Sequence, residues 1–190
     1  MKAICISILA AAACMQAQAA PTEFTNQASW AAAAGGVSAI TFVGLADGVV
    51  VTNQFGGLGV TFTDGNDTVL TAAAFTTDTK GIDSNGSTTL QFGSSQSVIG
   101  FDFPGALHLN LFLGAALVYS SSNFAGAGAG FFAGITGAAF DRVVVTDWVD
   151  QLAFIDNIYI GRAPIPEPET YALMLGGLGL VGWMARRRRR

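Results

Sequence analysis

Val98-Ile99-Gly100-Phe101-Asp102-Phe103 and Phe154-Ile155-Asp156-Asn157-Ile158-Tyr159-Ile160 are the two stretches on which the reading of the fold turns. On an extended chain successive side chains point to opposite faces. Phe101 and Phe103 therefore share one face while Asp102 turns away, and Phe154, Ile158 and Ile160 share another, interrupted by Asp156. Period-two runs of branched and aromatic residues read as half-buried strands. Working outward, further strand-like runs lie at 39–42, 49–53, 60–63, 69–73, 88–92, 107–113, 117–120, 130–136 and 142–146, and the second quoted stretch belongs to a run at 152–160. Gly, Asn, Asp and Ser separate them. Only the alanine-rich 28–34 favours a helix, beginning after Asn26 or capped by Ser29 and ended by Gly35-Gly36. Ser121 to Gly130, with its Gly-Ala-Gly-Ala-Gly run, reads as a long loop. Short strands with no amphipathic helices between them predict an all-β, antiparallel sandwich or barrel and argue against a parallel α/β sheet.

The chain has 190 residues and a formal net charge of −4. That length suits one domain with targeting segments at either end. The expected division is a signal peptide at 1–19, a β-sandwich passenger at 20–163 and a sorting tail at 164–190. The passenger holds Lys80, Arg142 and Arg162 against eleven acids, so the basic excess sits in Arg186 to Arg190. An acidic body is unsuited to nucleic acid, whose phosphates draw on Lys and Arg. Cys5 and Cys14 both fall in the expected signal peptide, which leaves the passenger to be held by packing without disulfides.

At the front, Lys2 precedes the apolar run from Ala3 to Cys14, and Ala17-Gln18-Ala19 offers small residues before a cleavage at Ala20. This is the three-part layout of a secretory signal helix, read by the Sec translocon. At the back, Pro164, Pro166 and Pro168 favour an extended, solvated spacer open to a protease. Tyr171 to Ala185 follows without a charge. As a helix it would be about 22 Å long, against a hydrocarbon core of ~30 Å, and flanking arginines can snorkel to cover part of the difference. A single transmembrane helix at 171–185 is expected, with Arg186, Arg187, Arg188, Arg189 and Arg190 held in the cytoplasm by the positive-inside rule.

Pro166-Glu167-Pro168, the glycine-rich apolar run and the terminal arginines, in that order, resemble the PEP-CTERM sorting signal. This tail is also described as an ice-binding protein C-terminal domain. The resemblance implies processing by an exosortase, a Gram-negative envelope, transient anchoring in the inner membrane, and association with exopolysaccharide or biofilm. A looser resemblance covers the body. Phe24, Trp30, Ile40-Thr41-Phe42 and Gly59-Val60-Thr61-Phe62 at its start, and Phe131-Phe132-Ala133-Gly134-Ile135, Arg142-Val143-Val144-Val145 and Phe154-Ile155-Asp156-Asn157-Ile158 at its end, are similar to PEP-CTERM passenger domains. Those resemble lectin-like jelly rolls.

Few residues in the body suit catalysis. His108 is its one histidine, placed by alternation opposite Leu107 and Leu109, and no Gly-x-Ser-x-Gly elbow accompanies it. Glu23 is the one glutamate of the body, and its aspartates sit in turn-like positions. The chain is therefore expected not to be an enzyme, and no resident cofactor is expected. Asp64, Asn66 and Asp67 form an oxygen-rich, glycine-containing loop that suits calcium, with ordinary Asx turns as the competing reading. Asp78, Asp83, Ser84 and Asn85 offer a second such cluster of oxygens, with the same competing reading. For sugars, Trp148 between Asp147 and Asp150 combines a stacking ring with carboxylates; Trp30, Tyr119 and Tyr159 are further candidate rings, with core packing as the alternative for each. The expected function is a non-enzymatic surface or secreted protein associated with exopolysaccharide or envelope and binding glycan. A small secreted hydrolase and an adhesive or ice-binding structural protein remain open.

Overall fold

The computed structural model describes residues 20–126, 128–147, 149, 152–162 and 177–178. Residues 20–162 fall within one compact unit. Along the chain come β1 (Thr22–Phe24), α1 (Gln27–Ala34), β2 (Val37–Ile40), a 3-10 turn (Gly56–Leu58), β3 (Val60–Phe62), β4 (Asp67–Thr71), β5 (Lys80–Asn85), β6 (Ser87–Phe103), β7 (Ala106–Leu113), β8 (Ala116–Ser120), β9 (Phe124–Ala125), β10 (Phe131–Thr146), β11 (Leu152–Ile155) and β12 (Asn157–Gly161). The body is all-β and every strand pairing is antiparallel, as the alternation predicts. It is compatible with a jelly-roll-like sandwich.

Among the described residues the large sheet runs β2-β12-β6-β10-β7-β8, with β1 on β10, β3 on β6 and β9 on β7. The small sheet runs β11-β5-β4. Two long strands, β6 and β10, are shared by both halves of the large sheet. In one half, 98–102 of β6 lies between β10 and β12; in the other, 90–91 of β6 lies between β10 and β3. The register shifts on either side of Phe140. Gly137, with φ 91°, takes a conformation that a side chain would oppose, and it marks where the ladder is broken and the strand bends.

Alternation sorts side chains into a core between the sheets. Leu107, Leu109 and Leu111 of β7, Leu90 and Phe92 of β6, and Val143 and Val145 of β10 pack with Val69, Ile82 and Ile155 of the small sheet. Phe42, Phe55 and Phe62 add edge-on and tilted ring contacts at 5.7–6.4 Å.

The outer face of the first half is covered by α1. Asn26 caps it, its Oδ1 accepting the Ser29 amide at 2.9 Å, and the Gly35 amide closes it on the Ala31 carbonyl. The helix buries Trp30 and Ala34 against Val98 and Phe132. The indole lies over Gly100 and Gly134. A Cβ on Gly100 would sit 2.8 Å from Phe132 Cζ, and one on Gly134 would run into Trp30 Cδ1. Glycine at both positions is what lets the ring approach the sheet.

Several boundaries differ from the sequence reading. The expected strands 88–92 and 98–103 are one strand, as are 130–136 and 142–146, because backbone pairing continues through the intervening polar and glycine residues. The expected strand 49–53 is reduced to an isolated bridge between Val50 and Thr68. Lys80–Asn85, which reads as turn, is a central strand. The run 152–160 is two strands in different sheets. The chain bends at Asp156, so Ile155 rather than Phe154 enters the core with Ile158 and Ile160. The loop 121–130 contains the two-residue β9.

Candidate functional site

A groove of ≈ 590 Å³ lies beside the segment that follows β4, lined by Leu70, Phe75, Pro104, Asp83, Asp147 and Phe154 among others. Phe75 is 53% exposed, uncommon for so large an apolar ring. Asp147 enters from the end of β10. Its Oδ1 accepts the Val149 amide at 2.6 Å, and its Oδ2 lies near Gly105. The groove thus joins an exposed aromatic surface to two carboxylates. Of the sugar-binding residues expected from sequence, Asp147 is here, while Trp148 and Asp150 lie outside the described residues. Phe75, Phe154 and Asp83 were not legible as members, since they come from three separate segments.

The calcium loop Asp64, Asn66 and Asp67 is split between solvent and interior. Asp64 is exposed and accepts from Ser87 Oγ at 3.2 Å. Asn66 Nδ2 donates to the Asn85 carbonyl at 3.1 Å. Asp67 is fully buried, and its Oδ1 accepts from Thr88 Oγ1 at 2.6 Å, tying the small sheet to the large one. Burial pushes the Asp67 carboxyl up to about 6; the Thr88 hydroxyl opposes this and the Asp64 charge adds to it. Asn66 Oδ1 and Asp67 Oδ2 are buried without a hydrogen-bond partner.

A second concavity, of ≈ 480 Å³, opens beside the N-terminus of α1, between Thr25, Asn26 and Gln27 on one side and Thr77, Asp78, Asp102, Asn157 and Tyr159 on the other. Asp102, Asp156 and Asn157 are all more than nine-tenths buried. Asp102 Oδ2 accepts from Tyr159 Oη at 2.6 Å and from Asn157 Nδ2 at 3.2 Å. Asp156 Oδ2 accepts from both the amide and the hydroxyl of Thr77, each at 2.6 Å. Burial raises both carboxyls, the hydrogen bonds oppose it, and the Asp78 charge raises both further. Burial and the adjoining Asp102 carboxylate push the Tyr159 phenol well up. The sequence reading missed this cluster; the one signal was Asp-Asn interrupting an apolar strand.

His108 sits on the solvent side of β7, as alternation predicts. Its Nδ1 lies 3.0 Å from Asn123 Oδ1 and its Nε2 3.0 Å from Ser120 Oγ. With the Asn123 oxygen accepting, Nδ1 carries the proton and Nε2 is left to accept from Ser120, a nucleophile–base–orienter order. The remaining candidate rings are engaged within the body. Trp30 is buried, Tyr159 is held by Asp102, and Tyr119 donates to Glu23 at 3.0 Å. Glu23 also takes the Ser122 amide at 2.6 Å and the Ser122 hydroxyl.

Pro166, Glu167, Pro168 and Arg186 to Arg190 lie outside the described residues, as do the signal peptide and all of 171–185 except Gly177 and Leu178, which are helical. Among the described residues no helix is long and apolar enough to cross a membrane. Residues 164–190 match the family model of the PEP-CTERM protein-sorting motif. The chain carries a PEP-CTERM sorting tail. The PEP-CTERM tail implies export, membrane anchoring at first, and processing by exosortase, a membrane protease. No curated protein and no solved structure matches the chain.

Proposed function

We propose that the body is a non-enzymatic glycan-associating module, carried by its PEP-CTERM tail through Sec export and exosortase processing to the cell surface or medium, where it joins exopolysaccharide, biofilm matrix or envelope. The observation that carries this reading is the groove holding exposed Phe75 with Asp83 and Asp147. Sugar rings stack on aromatic faces through their C–H groups while hydroxyls donate to carboxylates, and a shallow acidic groove suits a neutral polymer. Affinity electrophoresis through gels containing the host's own exopolysaccharide tests it. The protein is retarded and Phe75→Ala runs freely with an unchanged thermal midpoint; equal mobility of the two with and without polysaccharide refutes the reading.

A small secreted hydrolase is the second reading, favoured by the order Ser120–His108–Asn123. Under it, a fluorophosphonate labels Ser120 and His108→Gln abolishes labelling. Absence of labelling leaves the hydroxyl an ordinary surface group.

A further inference from the structure

We propose that the cleft beside α1 binds a hard divalent cation of the calcium class through Asp102, Asp78 and the amide oxygen of Asn157. The Asn157 side chain is 3% exposed and lines the cleft. Its Nδ2 donates to Thr77 Oγ1 at 3.1 Å and to Asp102 Oδ2 at 3.2 Å. That leaves Oδ1 buried without a partner. Behind it, Asp156 Oδ1 is buried and unpartnered as well. A buried acceptor left unpaired is costly, and one on a residue that lines an open polar cavity points to a ligand that supplies positive charge.

The charges agree. The charges of Asp156 and Asp78 raise the Asp102 carboxyl, and that of Asp78 raises Asp156. The basic side chains of the body are engaged elsewhere. Lys80 pairs with Asp47 and donates to the Leu45 carbonyl, Arg142 stacks over Phe112, and Arg162 donates to the Ser95 carbonyl. The donors are oxygens, as hard cations prefer, and the cavity has room for the waters that complete a six- to eight-fold shell. Among the described residues no three acidic, histidine or cysteine side chains are grouped to hold a metal. Two carboxylates with an amide oxygen and waters make a weak, calcium-type site and exclude a zinc-type one. The cation would join β6, β12 and the segment after β4, replacing mutual repulsion with shared attraction.

Terbium is the probe, titrated into the full chain in detergent and excited through Tyr159, whose hydroxyl touches Asp102, and Trp30, 5.8 Å from the Tyr159 ring. Calcium then displaces it. Saturable sensitised emission is expected, with calcium competing at about 0.1–1 mM, the range of extracellular modules. Asp78→Asn, at an exposed position, and Asp102→Asn, an isostere, each weaken calcium at least ~10-fold. Asp64→Asn leaves the affinity unchanged. The proposal is overturned by emission that does not saturate below about 10 mM, by unchanged affinity in Asp78→Asn, whose fold is checked by its circular dichroism, or by loss of binding in Asp64→Asn alone, which moves the cation to the 64–67 loop.

Discussion

Replacing Asp67 with asparagine should stabilise the protein at neutral pH and do progressively less as the solution is acidified. Asp67 is fully buried, and its carboxyl is raised from the ordinary 3.8 to about 6. The folded state therefore binds a proton more tightly than the unfolded chain, so stability falls as pH rises from the unfolded value through the folded one. Above the folded value the burden is constant at about 3 kcal/mol. Between about pH 4.5 and about pH 7 the wild type loses ~2 kcal/mol on this account, and the variant loses none of it. Asparagine retains an oxygen for Thr88 Oγ1, but its amide group introduces a buried donor costing about 1 kcal/mol. That cost is independent of pH, so the difference between the two pH values isolates the carboxylate. The assay is urea unfolding of both proteins at the two pH values, with chelator present so that no bound cation contributes at either. An equal stability difference at both pH values would refute the claim that Asp67 is held against its ionisation.

Gly134→Ala should destabilise the body by about 1–3 kcal/mol, because the new methyl meets Trp30 and Phe132; thermal unfolding followed by indole fluorescence checks it. Asn26→Ala removes the cap of α1 and should cost ~1 kcal/mol, read as a lower urea midpoint with unchanged slope.

What could be read from sequence was whatever repeats every second residue or is local. Leu107, Leu109 and Leu111 point inward and His108 outward because β7 is a regular strand. The start of α1 was legible to within a few residues, but not its cap: Asn26 holds that place and Ser29, the other candidate, lies inside the helix and donates its amide to Asn26. The tail motif was readable because Pro166 to Arg190 is contiguous. The rest was hidden by distance or by composition. Lys80-Gly81-Ile82-Asp83-Ser84-Asn85 has the residues of a turn yet is a central strand, since pairing on both edges outweighs its low strand propensity. Gly93-Ser94-Ser95 looks like a stop, but β6 runs through it. The Asp102 cleft draws on 25–27, 77–78 and 157–159, and no local pattern joins segments so far apart. The groove could be guessed at Asp147 but not at Phe75, whose exposure follows from the course of the chain after β4.

The PEP-CTERM tail implies that this chain is exported and then processed there by exosortase. The most direct test is the intact mass of the protein recovered from the envelope and medium of its native host, with and without exosortase. The expected result is a loss of mass matching cleavage near Pro166-Glu167-Pro168 only when the protease is present. A tail of full mass under both conditions would contradict the claim.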